Sequence, residues 1–185
     1  MNGYPESLNA AASSQPADER FLHGVVFGAS QELAAALEMV EHCVGQLSDE
    51  QIWHREPTLH SVGNTILHLG GNLRQWIVAG LSDADDDRRR PAEFAELGSL
   101  PRAQLLHDLR RCVTEAQVVL AYLTVDDLLR ERTIQGFTMT GIAAIWHAVP
   151  HFRGHTQELI RQTRTILGED YRFAWKPTTP EQGAT

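Results

Sequence analysis

Histidines stand at positions 147, 151 and 155, within Trp146-His147-Ala148-Val149-Pro150-His151-Phe152-Arg153-Gly154-His155-Thr156-Gln157. Residues four apart on an α-helix lie one above the other on the same face. Such a histidine pair can grip one metal ion without distorting the backbone, as the two histidines of a zincin helix do. The zincin glutamate directly after the first histidine is missing, which excludes that chemistry. A further ligand must then come from elsewhere in the chain, and His68 is the obvious donor. Three neutral imidazoles around a divalent ion would leave a formal +2 charge and an open position. Such a site can activate water, or hold a thiolate for transfer to an electrophile. Nitrogen ligands alone do not select the metal: Zn²⁺, Ni²⁺, Fe²⁺ and Cu²⁺ all accept imidazole, with Zn²⁺ the default through availability.

The elements that carry these residues show in the hydrophobic periodicity. From Phe21, the stripe Leu22, Val26, Ala29, Leu33, Leu37, Val40, Val44 and Leu47 predicts a first helix. A second starts at Ser61, a good N-cap, with the stripe Val62, Ile66, Leu69, Leu73 and Ile77, and closes around Gly80-Leu81. The polar linker from Ser82 to Ser99 holds one short turn around Phe94. Its run Asp85-Asp86-Asp87-Arg88-Arg89-Arg90 neutralises itself and reads as a solvated loop. A third helix, Pro101 to Leu123, buries Leu106, Leu109, Val113, Ala116, Leu120 and Leu123. Residues Leu128 to Gly136 are irregular, with Arg132-Thr133-Ile134-Gln135 extended at most. Thr140 caps a fourth helix that ends at Gly168 and is expected to kink at Pro150. Residues 1–18 read as a mobile tail and 176–185 as a loose one, leaving 19–175 as one helical domain. Without a convincing strand pattern, the fold class is all-α, a four-helix bundle.

Set against these stripes at about 100° per residue, His151 and His155 fall about 120° and 80° from the apolar centre, on the side where His68 also falls. His147 lies further round, nearer solvent. Each ligand histidine also needs a partner for its other ring nitrogen. Asn72, Gln75, Glu158 and Gln162 lie a turn or two along the same flanks, and His147 is a neighbour of the site. His23, His42, His54, His60 and His107 read as ordinary surface or packing residues.

The 185 residues carry a net charge of −8 with histidines neutral, which disfavours a nucleic-acid partner. No apolar run reaches the ~20 residues a membrane-spanning helix needs, and no signal peptide is visible, so a cytoplasmic protein is expected. Cys43 and Cys112 each sit in an amphipathic pattern and read as buried hydrophobes in a reducing compartment.

The stretch Ser61-Val62-Gly63-Asn64-Thr65-Ile66-Leu67-His68-Leu69-Gly70-Gly71-Asn72, followed much later by His151-Phe152-Arg153-Gly154-His155, resembles the DinB/YfiT-like superfamily. Arg90-Pro91-Ala92-Glu93-Phe94, Leu123-Thr124-Val125-Asp126-Asp127-Leu128 and Gly168-Glu169-Asp170 support the match, which extends from about Phe21 to Phe173. The resemblance implies an up-down-down-up bundle, commonly a homodimer, with a divalent metal on His68, His151 and His155. Relatives include transferases and isomerases that use low-molecular-weight thiols such as bacillithiol or mycothiol. The chain departs from the family after its last ligand, where Thr156-Gln157-Glu158 replaces the usual Gly-Gln. The expected function is therefore a metal-dependent thiol transferase or hydrolase acting on a small molecule. The alternative is a non-catalytic binding or dimerisation module whose metal is structural or absent.

Overall fold

In the computed structural model, which describes residues 15–55, 57–82 and 84–174, the chain is mostly helical with one small hairpin. The elements in order are α1 (Ala17–Val44), α2 (Asp49–Trp53), α3 (Val62–Leu73), a π-helical segment (Arg74–Ala79), α4 (Arg90–Ala95), α5 (Arg102–Tyr122) and α6 (Val125–Leu129). Strands β1 (Glu131–Ile134) and β2 (Phe137–Thr140) follow, then α7 (Gly141–Leu167) and a closing 3₁₀ turn (Gly168–Asp170). The first helix begins at Ala17, four residues before the position the apolar stripe suggests, so residues 17 and 18 belong to it rather than to a tail. The remaining tail assignments, 1–14 and 176–185, lie outside the described residues.

The long helices pack as neighbours: α1 against α5 and α7, and α3 against the same two. Their shared interior is made of the residues whose spacing marks them as core. Leu33, Val40, Val44, Ile66, Leu69, Ile77, Leu109, Ala116, Leu120, Phe152 and Leu159 are all buried. Burying each of the larger side chains contributes on the order of 1.5–3 kcal/mol. Surface ion pairs such as Arg153–Glu32 (3.3 Å) and Arg74–Glu115 (3.7 Å) add at most about 1 kcal/mol each. Packing therefore decides the fold.

The ends of the two histidine-bearing helices are fixed by local chemistry. Ser61 and Asn64 form a reciprocal capping box at the start of α3, satisfying two otherwise orphaned donors. Thr140 accepts from Ala143 N at the start of α7. Gly168, at φ 55°, ends α7 in a conformation that a side chain would strain. α7 stays helical through Pro150, which lacks an N–H and leaves that rung open.

Two features depart from the sequence reading. Residues 131–140 form an antiparallel hairpin, with Glu131 opposite Thr140 and Ile134 opposite Phe137. Its turn, Gln135-Gly136, places both residues at positive φ, 53° and 82°. The helix capped by Ser61, α3, passes into π-helical winding over Arg74–Ala79, a segment that packs against α5 and α7.

The linker is more tightly held than a solvated loop. Asn64 Nδ2 donates to the carbonyls of Glu93 (2.9 Å) and Glu96 (3.0 Å). Arg55 Nη2 donates to those of Phe94 (2.9 Å) and Glu96 (2.7 Å). These bonds fasten α4 onto the first turns of α3. The capping residue of the histidine helix thus also positions the linker beside it.

Candidate functional site

His68 comes from the middle of α3, and His151 and His155 from successive turns of α7. Because α3 and α7 pack together, the three rings meet: centroids lie 5.0 Å apart for His68–His151, 5.1 Å for His68–His155 and 4.6 Å for His151–His155. One ring nitrogen from each lies within 4.8 Å of the other two. The closest approach is His68 Nε2 to His151 Nε2, at 3.2 Å. Two imidazole nitrogens sharing a tetrahedral zinc ion at 2.0–2.1 Å stand about 3.3 Å apart, so that pair already has the separation of co-ligands. His68 is 6% exposed and the other two are half-buried, which puts the cluster at the edge of the core.

The other ring nitrogens meet carboxylates. His155 Nδ1 lies 2.8 Å from Glu158 Oε2, one of the expected partners. His68 Nδ1 lies 2.9 Å from Glu93 Oε2, a residue the periodicity does not single out. Glu93 is paired in turn with Arg88, whose Nε donates to Oε1 (2.7 Å) and Nη2 to Oε2 (2.9 Å). The Arg88 side chain is only 4% exposed, which corrects the reading of a solvated loop at that one residue, while Asp85, Asp86, Asp87, Arg89 and Arg90 are exposed as expected. Asn72, expected to support His68, is buried but bonds none of the three histidines. Gln75 joins one step removed, accepting from Arg88 Nη1 (2.9 Å) and donating to Asp86 Oδ2 (2.8 Å). Gln162 Nε2 reaches Glu158 Oε1 and the His60 carbonyl, each at 3.4 Å. His147 stands outside the cluster, stacked on Trp76 with centroids 3.7 Å apart and 5.8 Å from the His151 ring.

The sequence signal that bears on the missed pair is Gly71. A Cβ on Gly71 would stand 2.9 Å from Glu93 Cδ and 3.1 Å from Arg88 Nε, and closer still to Glu93 Oε1. No side chain fits there while the carboxylate holds His68.

The electrostatics favour a neutral His151 ring. Burial lowers the His151 pKa to about 3, with His155, His68, His147 and Arg88 adding to the effect. Burial alone would raise the Glu93 pKa, but hydrogen bonds from Arg88 and His68 outweigh it and hold the group below its ordinary value. Neutral imidazole is the form that binds metal. Hydrogen bonding within the cluster leaves His151 Nδ1 buried with no partner, a cost of about 1–3 kcal/mol. An ion on His151 Nε2 would put the ring hydrogen on Nδ1 and leave that atom unpartnered, so what points to an ion is the convergence of the three rings and not this atom. The residues fit a divalent metal on His68, His151 and His155, with Glu93 and Glu158 behind two of them.

Among solved structures, the chain is similar to the crystal structure of a conserved protein from Enterococcus faecalis. The two are 16% identical with a TM-score of 0.64, covering 76% of this chain and 96% of that one, a likeness that speaks to the fold alone. No curated protein matches the sequence. The model of one family, described as protein of unknown function (DUF1572), matches residues 25–178, a span that includes both histidine helices and the Arg88–Glu93 linker. The chain belongs to the DUF1572 family.

Proposed function

We propose that this protein is a divalent-metal-dependent enzyme of the DinB-like type, a thiol transferase or hydrolase acting on a small molecule. The observation that carries the reading is the convergence of three imidazole nitrogens from α3 and α7 within 4.8 Å, two of the rings backed by carboxylates. A bound Zn²⁺, Ni²⁺ or Fe²⁺ would supply Lewis acidity, lowering the pKa of a coordinated water or thiol toward neutrality. His68, His151 and His155 would hold it; Glu93 and Glu158 would keep the rings oriented. Phe94, 5.1 Å from the His68 ring and 4.3 Å from the His60 ring, walls the cluster with apolar surface. That surface excludes water on its side and strengthens the charges inside.

The superfamily resemblance also carries the up-down-down-up order of the long helices and a homodimer, both of which we adopt. An exposed apolar face supports the dimer. Phe21, Phe27 and Trp146 are 54%, 48% and 69% exposed beside a hollow at Gly24 and Gly28 on α1. Free, buried Cys43 and Cys112 accord with a reducing cytoplasm. Among the described residues, no helix is long and apolar enough to cross a membrane.

The competing reading is a helical binding module with a structural metal or none. It draws on the engagement of both carboxylates beside the cluster, Glu93 with Arg88 and His68, and Glu158 with His155, which leaves neither as a free base. Turnover of low-molecular-weight thiols with a panel of electrophiles, and of ester and amide substrates with water, separates the two. Metal-loaded protein should turn over at least one pair and chelated protein none. Equal rates with and without metal would defeat the enzymatic reading.

A further inference from the structure

His68 Nδ1 has two close neighbours that make opposite demands. Glu93 Oε2 at 2.9 Å can only accept, whereas Arg88 Nη2 at 3.0 Å can only donate. The ring nitrogen either carries a hydrogen or offers a lone pair, and it cannot do both. If Nδ1 offered a lone pair to Arg88, that lone pair would also face a carboxylate at hydrogen-bond distance. The hydrogen would then sit on Nε2 and point at His151 Nε2, forcing the His151 hydrogen onto its buried, unpartnered Nδ1.

The other arrangement leaves no ring hydrogen of His68 or His151 without an acceptor. Arg88 spends Nε–H and one Nη2–H on Glu93 and an Nη1–H on Gln75, and needs nothing from His68. Glu93 keeps a lone pair for the His68 Nδ1 hydrogen. Nε2 is then bare, and His151 can donate to it from its own Nε2 in the metal-free protein, leaving only an acceptor unpaired at Nδ1.

We infer that Arg88 and Glu93 are positioning residues that lock His68 in one tautomer: Glu93 accepts the Nδ1 hydrogen, and Arg88 pins that carboxylate so that a bare Nε2 faces His151 and His155. The inference deepens the metal reading and rests on it for its purpose, although the lock itself is a property of the metal-free chain. The device is a relay that runs from exposed Asp86 inward to buried His68. Asp86 accepts from Gln75, Gln75 accepts from Arg88, Arg88 donates twice to Glu93, and Glu93 holds His68. Asn64 and Arg55 anchor the short helix that carries Glu93 through its backbone carbonyls.

The second carboxylate is a different device. The Glu158 side chain is 34% exposed and sits one turn from His155 on the same helix, and among the described residues no Arg pairs with it. Glu93 is 10% exposed, and its charge is cancelled by Arg88. The His68 lock therefore orients a ligand without adding net charge, whereas Glu158 adds one negative charge beside the ion. Substitution at Glu93 should accordingly cost more than substitution at Glu158.

The test reads the tautomer directly, by ¹⁵N–¹H correlation spectra of histidine-labelled protein stripped of metal. In wild type, His68 should show a protonated Nδ1 and a bare Nε2. Glu93→Gln and Arg88→Met should each give a mixture of tautomers and bind Zn²⁺ 10- to 100-fold more weakly, while Glu158→Gln should lose less. A His68 hydrogen on Nε2 in the wild-type protein would overturn the inference, and that spectrum does not depend on any variant folding. Unchanged tautomer and Zn²⁺ affinity in both Glu93→Gln and Arg88→Met would overturn it equally. If the wild-type tautomer is as stated but Zn²⁺ does not bind, the lock stands and the proposed function falls.

Discussion

Gly71→Ala probes the role of the Glu93 carboxylate without replacing a histidine, a charged residue or a core side chain. The added Cβ would lie 2.9 Å from Glu93 Cδ, and ordinary contact begins near 3.4 Å. The carboxylate must therefore retreat by about half an ångström at Cδ and by more at Oε1, the oxygen that faces the glycine. The bond to His68, now 2.9 Å, would stretch past useful length. Loss of such a support weakens metal binding about 10- to 100-fold, or about 1.4–2.8 kcal/mol. Helix propensity works in the opposite direction: alanine in the interior of α3 stabilises the helix by up to about 1 kcal/mol over glycine. The expected signature is a protein that unfolds near the wild-type urea midpoint yet binds Zn²⁺ much more weakly in chelator competition. Gly70→Ala is the matched control. Its Cβ would meet Cys112 Sγ at 3.5 Å and Leu109 Cδ1 at 3.9 Å, both ordinary contacts, so affinity should not change. Wild-type Zn²⁺ affinity in Gly71→Ala would refute the reasoning.

Three further outcomes are expected. Trp146→Glu places a charge on the exposed apolar face of α1 and α7, and light scattering should show a monomer where wild type is a dimer; a wild type that is already monomeric removes the dimer from the account. Burial raises the Cys112 pKa to about 11, so stability linked to the protonated thiol is complete below pH 9 and drains away as pH rises from 9 toward 11. Cys112→Ala should flatten the pH dependence of the urea midpoint in that window, and an unchanged slope would contradict the assignment. Gly136→Val forces a β-branched side chain to φ 82° at the hairpin turn and should cost about 1–2 kcal/mol of stability by urea unfolding, with Zn²⁺ affinity untouched.

The parts of the structure that could be read in the sequence are those governed by local periodicity. Val62, Ile66, Leu69, Leu73 and Ile77 repeat every three or four residues and are all buried, and Ser61 and Thr140 cap the helices where their hydroxyls suggest. The cluster of His68, His151 and His155 follows from the same rule, since four-residue spacing fixes a face and the stripes fix how faces meet. The hairpin escaped because its strands are only four residues long and its turn is Gln135-Gly136, a weaker signal than Asn-Gly. The π-helical stretch escaped because one widened turn hardly shifts an apolar stripe. Arg88 and Glu93 escaped for another reason. They act on a histidine 20 and 25 residues away, and in a run of three aspartates and three arginines nothing local tells the buried cation from its solvated neighbours. Glu158 was legible and Glu93 was not because one lies on the same helix as its histidine and the other reaches across the fold.

The account rests on one ion shared by α3 and α7, and metal analysis of protein equilibrated with Zn²⁺ and then dialysed tests that most directly. Wild type should retain about one ion per chain, His147→Ala should retain the same, and His68→Ala and His151→Ala should each lose it. A metal-free wild type, or a His151→Ala protein that keeps its full complement, would contradict the central claim.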